Sequence, residues 1–164
     1  MDYDSVVKLL IALLLVLLNG FFVAAEFSIV KVRYSQIQIK AAEGNKMAKQ
    51  AEHIIKHLDA YLSATQLGIT LASLALGWVG ESALEHVFHN MIAYFNLEIP
   101  ATYITTFSVI VSFSIITVMH IVFGELVPKS IAIRKSEATT LFISSPLRFF
   151  YFIFKPVIWL MNVI

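Results

Sequence analysis

Three stretches of this chain run for the length of a bilayer without a charged residue. Residues 9–25 read LLIALLLVLLNGFFVAA, and the apolar pattern continues past Glu26 through Phe27, Ile29 and Val30. That predicts a first spanning helix, TM1, over about residues 5–30, enough to cross a hydrocarbon core of roughly 30 Å. A cleaved signal peptide is the rival, but its apolar core is shorter, and here the strongest positive charge follows the run instead of preceding it. Residues 60–80 (AYLSATQLGITLASLALGWVG) are again uncharged and of spanning length. Their Ser, Thr, Gln and Gly content predicts a helix, TM2, that faces protein. The third stretch, TM3 at 101–126, begins just after Pro100 and runs uncharged to Gly124, and proline suits a helix start. The last stretch, 138–164, is apolar and aromatic but interrupted by Pro146, Arg148, Lys155 and Pro156. Arg148 and Lys155 share one helical face, which predicts a juxtamembrane helix lying in the interface; a fourth span is the alternative. Between TM1 and TM2, residues 34–43 and 46–58 are helix-like, and Gly44-Asn45 supplies a cap and turn, so 34–58 reads as a helical hairpin. Met47, Ala51, Ile54, Ile55 and Leu58 form its apolar face, turned to lipid, to the bundle or to a partner subunit.

Composition agrees with this all-α integral membrane class. Hydrophobic residues make up 59% of the 164 and charged residues 14%, against about 25% charged in soluble domains. Mean hydropathy is +0.80. The absence of cysteine excludes disulfides and thiolate metal sites, so any metal is held by oxygen or imidazole. No basic cluster is interleaved with aromatics, which argues against nucleic acid as a partner. The cations orient the bundle, because cytoplasmic flanks collect Lys and Arg. Lys31, Arg33, Lys40, Lys46, Lys49 and Lys56 follow TM1, and Lys129, Arg134, Lys135, Arg148 and Lys155 follow TM3. The N-terminal flank has only Lys8, and residues 81–98 have no Lys or Arg. The expected topology is N-terminus outside and C-terminus cytoplasmic, multi-pass in the plasma (inner) membrane. The apolar end at Ile164 is expected to mark a fragment of a longer protein.

The most informative local pattern is Gly124-Glu125-Leu126-Val127-Pro128-Lys129. Pro128 has no N–H, so the helical bond to the Gly124 carbonyl cannot form and its ring displaces that carbonyl. A free carbonyl beside a carboxylate is the hard-oxygen pairing that magnesium, calcium or sodium prefers. The alternative is a proline that ends the span, with Glu125 solvated or paired with Lys129. Glu26, inside TM1 on the face of Asn19, is a site candidate because a carboxylate is costly there; otherwise it reaches the interface or pairs with a loop cation. The spacing sets it at the depth of Glu125. Ser63, Gln66, Thr70, Ser73 and Gly77 share a face of TM2, either to bind an ion or to pack, with Ala72, Ser73, Ala75 and Gly77 allowing close helix approach. His120 reads as a relay, a ligand or a packing residue. His86 and His89 lack an evident third ligand, and solvated surface is the better reading for them. No nucleophile elbow, phosphate loop or paired-cysteine site is present, so the chain does not read as an enzyme.

Residues 19–33 (NGFFVAAEFSIVKVR), 61–81 (YLSATQLGITLASLALGWVGE) and 120–133 (HIVFGELVPKSIAI) resemble the CNNM/CorC family, whose transmembrane module is linked to magnesium transport. The resemblance implies three transmembrane helices with juxtamembrane helices over 1–137, a homodimer, and a magnesium ion among the helices. It also implies cytoplasmic CBS domains that bind nucleotide, and in many members a small C-terminal domain, both outside this sequence. The family's G-E-x-x-P element falls on Gly124, Glu125 and Pro128, and its second-helix polar positions fall on Thr70 and Ser73. With Glu26 these make the implied Mg2+ ligand set Glu125, Gly124, Ser73, Thr70 and Glu26. In TM1 the hydroxyls many members carry are replaced by Val23 and Ala25, and an asparagine of animal members is Ile69 here. The expected function is magnesium transport, as an exporter working by alternating access. The alternatives are a membrane-embedded sensor or scaffold and, since related sequences are connected with it, export of an organic cation such as a polyamine.

Overall fold

The computed structural model describes residues 3–94 and 101–163, with side chains set aside at 4–5, 81–94 and 101–105. Among the described residues every regular element is helical: α1 (Tyr3–Lys31), α2 (Tyr34–Ala42), α3 (Lys46–Lys56), α4 (Leu58–Tyr94), α5 (Ala101–Met119), a π-helical segment (His120–Leu126), α6 (Val127–Arg134) and α7 (Ser136–Val163). α5, the π segment and α6 follow one another as a single rod. Four helices, Val6–Lys31, Leu58–Gly80, Thr106–Arg134 and Ser136–Val163, are long and apolar enough to cross a membrane. This is a multi-pass membrane chain.

α1 packs along α4, α5 packs on α4, and α6 packs on α1. The α1–α4 contact is close because Gly68 accepts the Phe22 ring where any Cβ would lie 2.5 Å from it. α4 continues well beyond the expected end of TM2, to Tyr94. The expected start of TM3 at Pro100 falls outside the described residues, and α5 is described from Ala101.

The hairpin forms as its sequence predicts. Gly44 takes φ +94, the left-handed turn that glycine enters without strain. Asn45 then caps α3, its Oδ1 accepting from the Met47 and Ala48 N–H groups. The expected apolar face holds except at its first residue: Ala51 and Ile54 are buried and Ile55 and Leu58 pack against the core, while Met47 is exposed and Ala48 is buried in its place. This face meets the bundle. Ile54 joins Phe22, Ala25 and Ile29 of α1, Tyr61 of α4 and Ile143 and Leu147 of α7 in one core cluster.

α7 is a continuous helix despite Pro146 and Pro156. Its contacts follow its length in order. Glu137 pairs with Lys40, and Ser145 donates to Gln50 Oε1 at 2.6 Å. The Phe150 ring stands edge-on to Phe22 at 4.7 Å, and Tyr151 lies 4.6 Å from Tyr61. Asn162 Oδ1 accepts from Ser63 at 2.5 Å. Tyr61 and Ser63 differ by about 3 Å of rise along α4, whereas their partners Tyr151 and Asn162 differ by about 16 Å along α7. α7 therefore crosses α4 at the hairpin end of the bundle and does not run beside it.

Candidate ion site

The rod from α5 to α6 widens where the sequence reads HIVFGELVP. Val127 donates its N–H to the Val122 carbonyl, five residues back, and Pro128 has no N–H to return to Gly124. A wide turn of this kind leaves a carbonyl outside the regular ladder, and such turns recur at functional sites. The Gly124 carbonyl is met from another helix: Asn19 Nδ2 of α1 donates to it at 3.0 Å, and this bond is buried. The displaced carbonyl expected from Pro128 is thus present, and its partner is a side chain.

Asn19 is fully buried and holds three segments together. Its Nδ2 reaches the π segment, and its Oδ1 accepts from Ser73 Oγ of α4 at 3.2 Å. The next residue makes the approach possible. A Cβ on Gly20 would sit 2.9 Å from Pro128 Cγ and 3.1 Å from the Phe123 carbonyl oxygen, so only glycine lets α1 lie this close to the wide turn. Gly124 is confined likewise, by His120 at 2.7 Å and Asn19 at 3.2 Å from a built Cβ. A cavity of about 280 Å³ adjoins the cluster between α4 and α5, lined by Ser73, Leu76, Gly77, Ile116, Thr117 and His120 among others.

The predicted site residues divide. Gly124 and Ser73 come together through Asn19. Thr70 is exposed, and its hydroxyl donates to its own helix at the Gln66 carbonyl, 2.8 Å away. The Glu125 side chain is about half exposed (51%), with Oε1 3.9 Å from His120 Nε2, a nitrogen that lacks a hydrogen-bond partner. Glu26 lies near the hairpin end, where Lys129 is its charged neighbour; the Lys129 ammonium also stands 4.4 Å from the Phe27 ring centroid. The depth match between the two glutamates is corrected by these contacts: Glu125 follows the residue that touches Asn19, while Glu26 is seven residues, or about 10 Å, further along α1. Ser63 turns to Asn162 of α7. The side chains of His86 and His89 lie outside the described residues.

Asn19 is the hub that the sequence pattern touches only in passing, as a residue on the face of Glu26. Its signal is present nonetheless: Asn19-Gly20 is the single polar break in an apolar run that begins at Leu9, and a buried amide in a span demands partners. What the cluster offers is a carbonyl, an amide and a hydroxyl, all hard and neutral. Among the described residues no group of three His, Asp or Glu converges on one point.

The chain matches the cyclin M transmembrane N-terminal domain family over residues 10–164. It is similar to the UPF0053 proteins YrkA and YhdP of Bacillus subtilis, 44% identical over 96% of this chain in the first case and 45% over 96% in the second. It covers 36% and 35% of those proteins, about a third of their length. It is also similar, at 25% identity over 92% of the chain, to a protein of Haemophilus influenzae named polyamine export protein, of which it covers 34%.

Proposed function

This chain belongs to the CNNM transmembrane-domain family, and from that premise we propose that it moves a divalent cation, magnesium, through an oxygen site around Asn19, Ser73 and Gly124. The observation that carries the proposal is the buried bond from Asn19 to the Gly124 carbonyl. In that bond an amide N–H occupies the place a cation would take. Turning the Asn19 amide over presents its Oδ1 beside the carbonyl and the Ser73 hydroxyl. Hard oxygens of this kind suit magnesium, which keeps several of its waters and is held by few protein ligands. The adjoining cavity of about 280 Å³ has room for those waters. Glu125 supplies charge from the rim, and Thr70 and Glu26 act as approach residues.

The rest of the proposal follows the sequence. The hairpin and the C-terminal end face the cytoplasm, α7 lies in the interface with its exposed Phe149, Phe152 and Trp159 against lipid, and two copies associate. Nucleotide enters only through cytoplasmic domains of the longer protein, and the direction is export.

Purified chain in proteoliposomes tests the function. Magnesium should raise the melting temperature and cross the membrane, read by an entrapped magnesium dye. Glu125→Ala and Ser73→Ala should weaken the stabilisation at least tenfold in magnesium concentration. Binding without flux would make the chain a sensor or scaffold, and unchanged binding in both variants would remove the site. A second reading is favoured by the relative named for polyamine export: spermidine that displaces magnesium and crosses in its place would make the cargo an organic cation.

A further inference from the structure

The chain turns a corner between α6 and α7. Lys135, at φ −125 and ψ 45, ends α6, and α7 starts at the next residue. The corner brings Arg134 and Lys135 beside Gln36 and Lys40 of α2, and a groove of about 450 Å³ lies between these four and Ser136 and Glu137. Three cations thus meet one carboxylate, and that carboxylate is already used, because Glu137 pairs with Lys40. Among the described residues Arg134 and Lys135 have no carboxylate within ion-pair reach, whereas Lys56 is held by Glu52 and Lys129 lies over the Phe27 ring. The first turn of α7 opens on the same groove. Its leading N–H groups precede the bond from Thr139 to the Lys135 carbonyl at 2.9 Å, and such unspent N–H groups favour an anion.

A second groove, of about 410 Å³, continues from the first, and Lys135 and Ala138 line both. It runs between α1, α6 and α7 along Ile131, Ala24 and Phe142 to Phe21 and Pro128, about 10 Å of rise from Lys135 to Pro128. Apart from Lys135 and Thr139, every residue lining it is apolar. Ile131 and Phe142 are nevertheless exposed. All three helices are long and apolar enough to cross a membrane, so hydrocarbon is the medium that meets this groove. A soluble anion would use the basic end alone. A ligand that fills both ends carries a negative head and an apolar tail.

We propose that the joined grooves hold one anionic phospholipid, with its phosphate on Arg134, Lys135 and the start of α7 and an acyl chain along Ile131 and Phe142 toward Pro128. A guanidinium matches phosphate oxygens in pairs, and basic pockets beside membrane spans select anionic headgroups. The acyl chain ends against the proline whose ring packs at Gly20, so the lipid touches the same residue that displaces the Gly124 carbonyl. Charge and shape carry this site, and the identity of the transported cargo does not enter it.

Native mass spectrometry of the whole chain, released from dodecyl maltoside micelles, counts bound lipids as palmitoyl-oleoyl phosphatidylglycerol or palmitoyl-oleoyl phosphatidylcholine is titrated. The first phosphatidylglycerol should bind at least tenfold more tightly than phosphatidylcholine. Arg134→Gln with Lys135→Gln should remove that preference. Ala138→Trp, which sets a ring where the grooves join, should weaken phosphatidylglycerol at least tenfold, and Phe142→Ala, which trims an exposed wall of the apolar groove, at least threefold. Ala138 is itself exposed, and circular dichroism checks that each variant keeps its helix content. Lys46→Gln with Lys49→Gln takes the same charge from exposed positions of α3 and should change nothing. An equal loss in that pair would mean diffuse attraction and overturn the site, as would equal affinity for the two lipids. Glycerol 3-phosphate, a headgroup without tails, should not displace the lipid. Displacement by it, or full binding in both Ala138→Trp and Phe142→Ala, would reduce the site to one for a soluble anion and overturn the lipid.

Discussion

Replacing Asn19 by leucine removes a buried donor and acceptor while keeping the number and branching of the side-chain heavy atoms, and its cost should depend on residue 128. With Pro128 in place, the Gly124 carbonyl has no N–H available at position 128, and it accepts from Asn19 at 3.0 Å. Loss of that donor leaves a buried carbonyl unpaired, which costs about 1–3 kcal/mol in soluble proteins. Interhelical bonds in membranes average closer to ~0.6 kcal/mol, with a maximum near 1.7. Adding the Ser73 bond at 3.2 Å, Asn19→Leu should cost about 2 kcal/mol. In a Pro128→Ala background the residue 128 N–H is restored and can pair with the same carbonyl. The cost of Asn19→Leu should then fall to about 1 kcal/mol, a coupling of ~1 kcal/mol against a usual additivity error of roughly 0.3–0.5. The assay is reversible unfolding in mixed micelles titrated with sodium dodecyl sulfate, followed by far-ultraviolet circular dichroism with chelator present so that no ion contributes. Additive single and double variants would refute the view that Asn19 holds the carbonyl Pro128 sets free.

Gly20→Ala should lower stability by about 1–3 kcal/mol, as overpacking does, because its Cβ meets the Phe123 carbonyl and Pro128; Gly77→Ala, with nothing within 4 Å, should melt as the parent does. In the hairpin, partial burial, then the charges of His57, Arg148 and Lys56, hold the His53 pKa below its usual 6.5. The unfolded chain therefore takes up the proton first, so stability is whole above 6.5 and falls as pH drops through that value; melts from pH 8 to 5 should show this fall, reduced in His53→Gln. Hydrogen bonds from Lys56 and Tyr34 hold the Glu52 carboxyl below its usual value of 4.5, so the contribution of this trio is present above that value and lost on further acidification, a loss that Glu52→Gln should remove. Cysteines at Asn45 and Ser82 should label from the cytoplasmic and outer sides respectively, and labelling of position 45 from outside in intact cells would invert the proposed orientation.

The spans were legible because an uncharged run of twenty residues has few other uses, and the hairpin turn because Gly44 and Asn45 each have a specific backbone task. Pro128 made the displaced Gly124 carbonyl legible too. What the pattern could not supply was register between helices. Thr70 and Ser73 share a stripe in one dimension, yet packing of α4 on α1 brings Ser73 to Asn19 and leaves Thr70 facing outward. The match in depth of Glu26 with Glu125 failed for the same reason, since counting residues from span ends does not know how far α1 and the rod are offset. The last helix was legible from the shared face of Arg148 and Lys155, and contacts with α1, α3 and α4 hold α7 continuous through Pro146 and Pro156.

The wide turn has a mechanical consequence. Before it the rod packs on α4, and after it on α1, so the extra residue is what lets one helix serve two neighbours whose faces are out of phase. One residue corresponds to about 100° of helical rotation. Tightening the turn to regular α geometry would therefore screw one half of the rod against the other by that angle, without bending its axis. A piece of helix that twists and does not tilt would turn Ile116 away from Gly80 of α4 while α6 keeps its grip on α1.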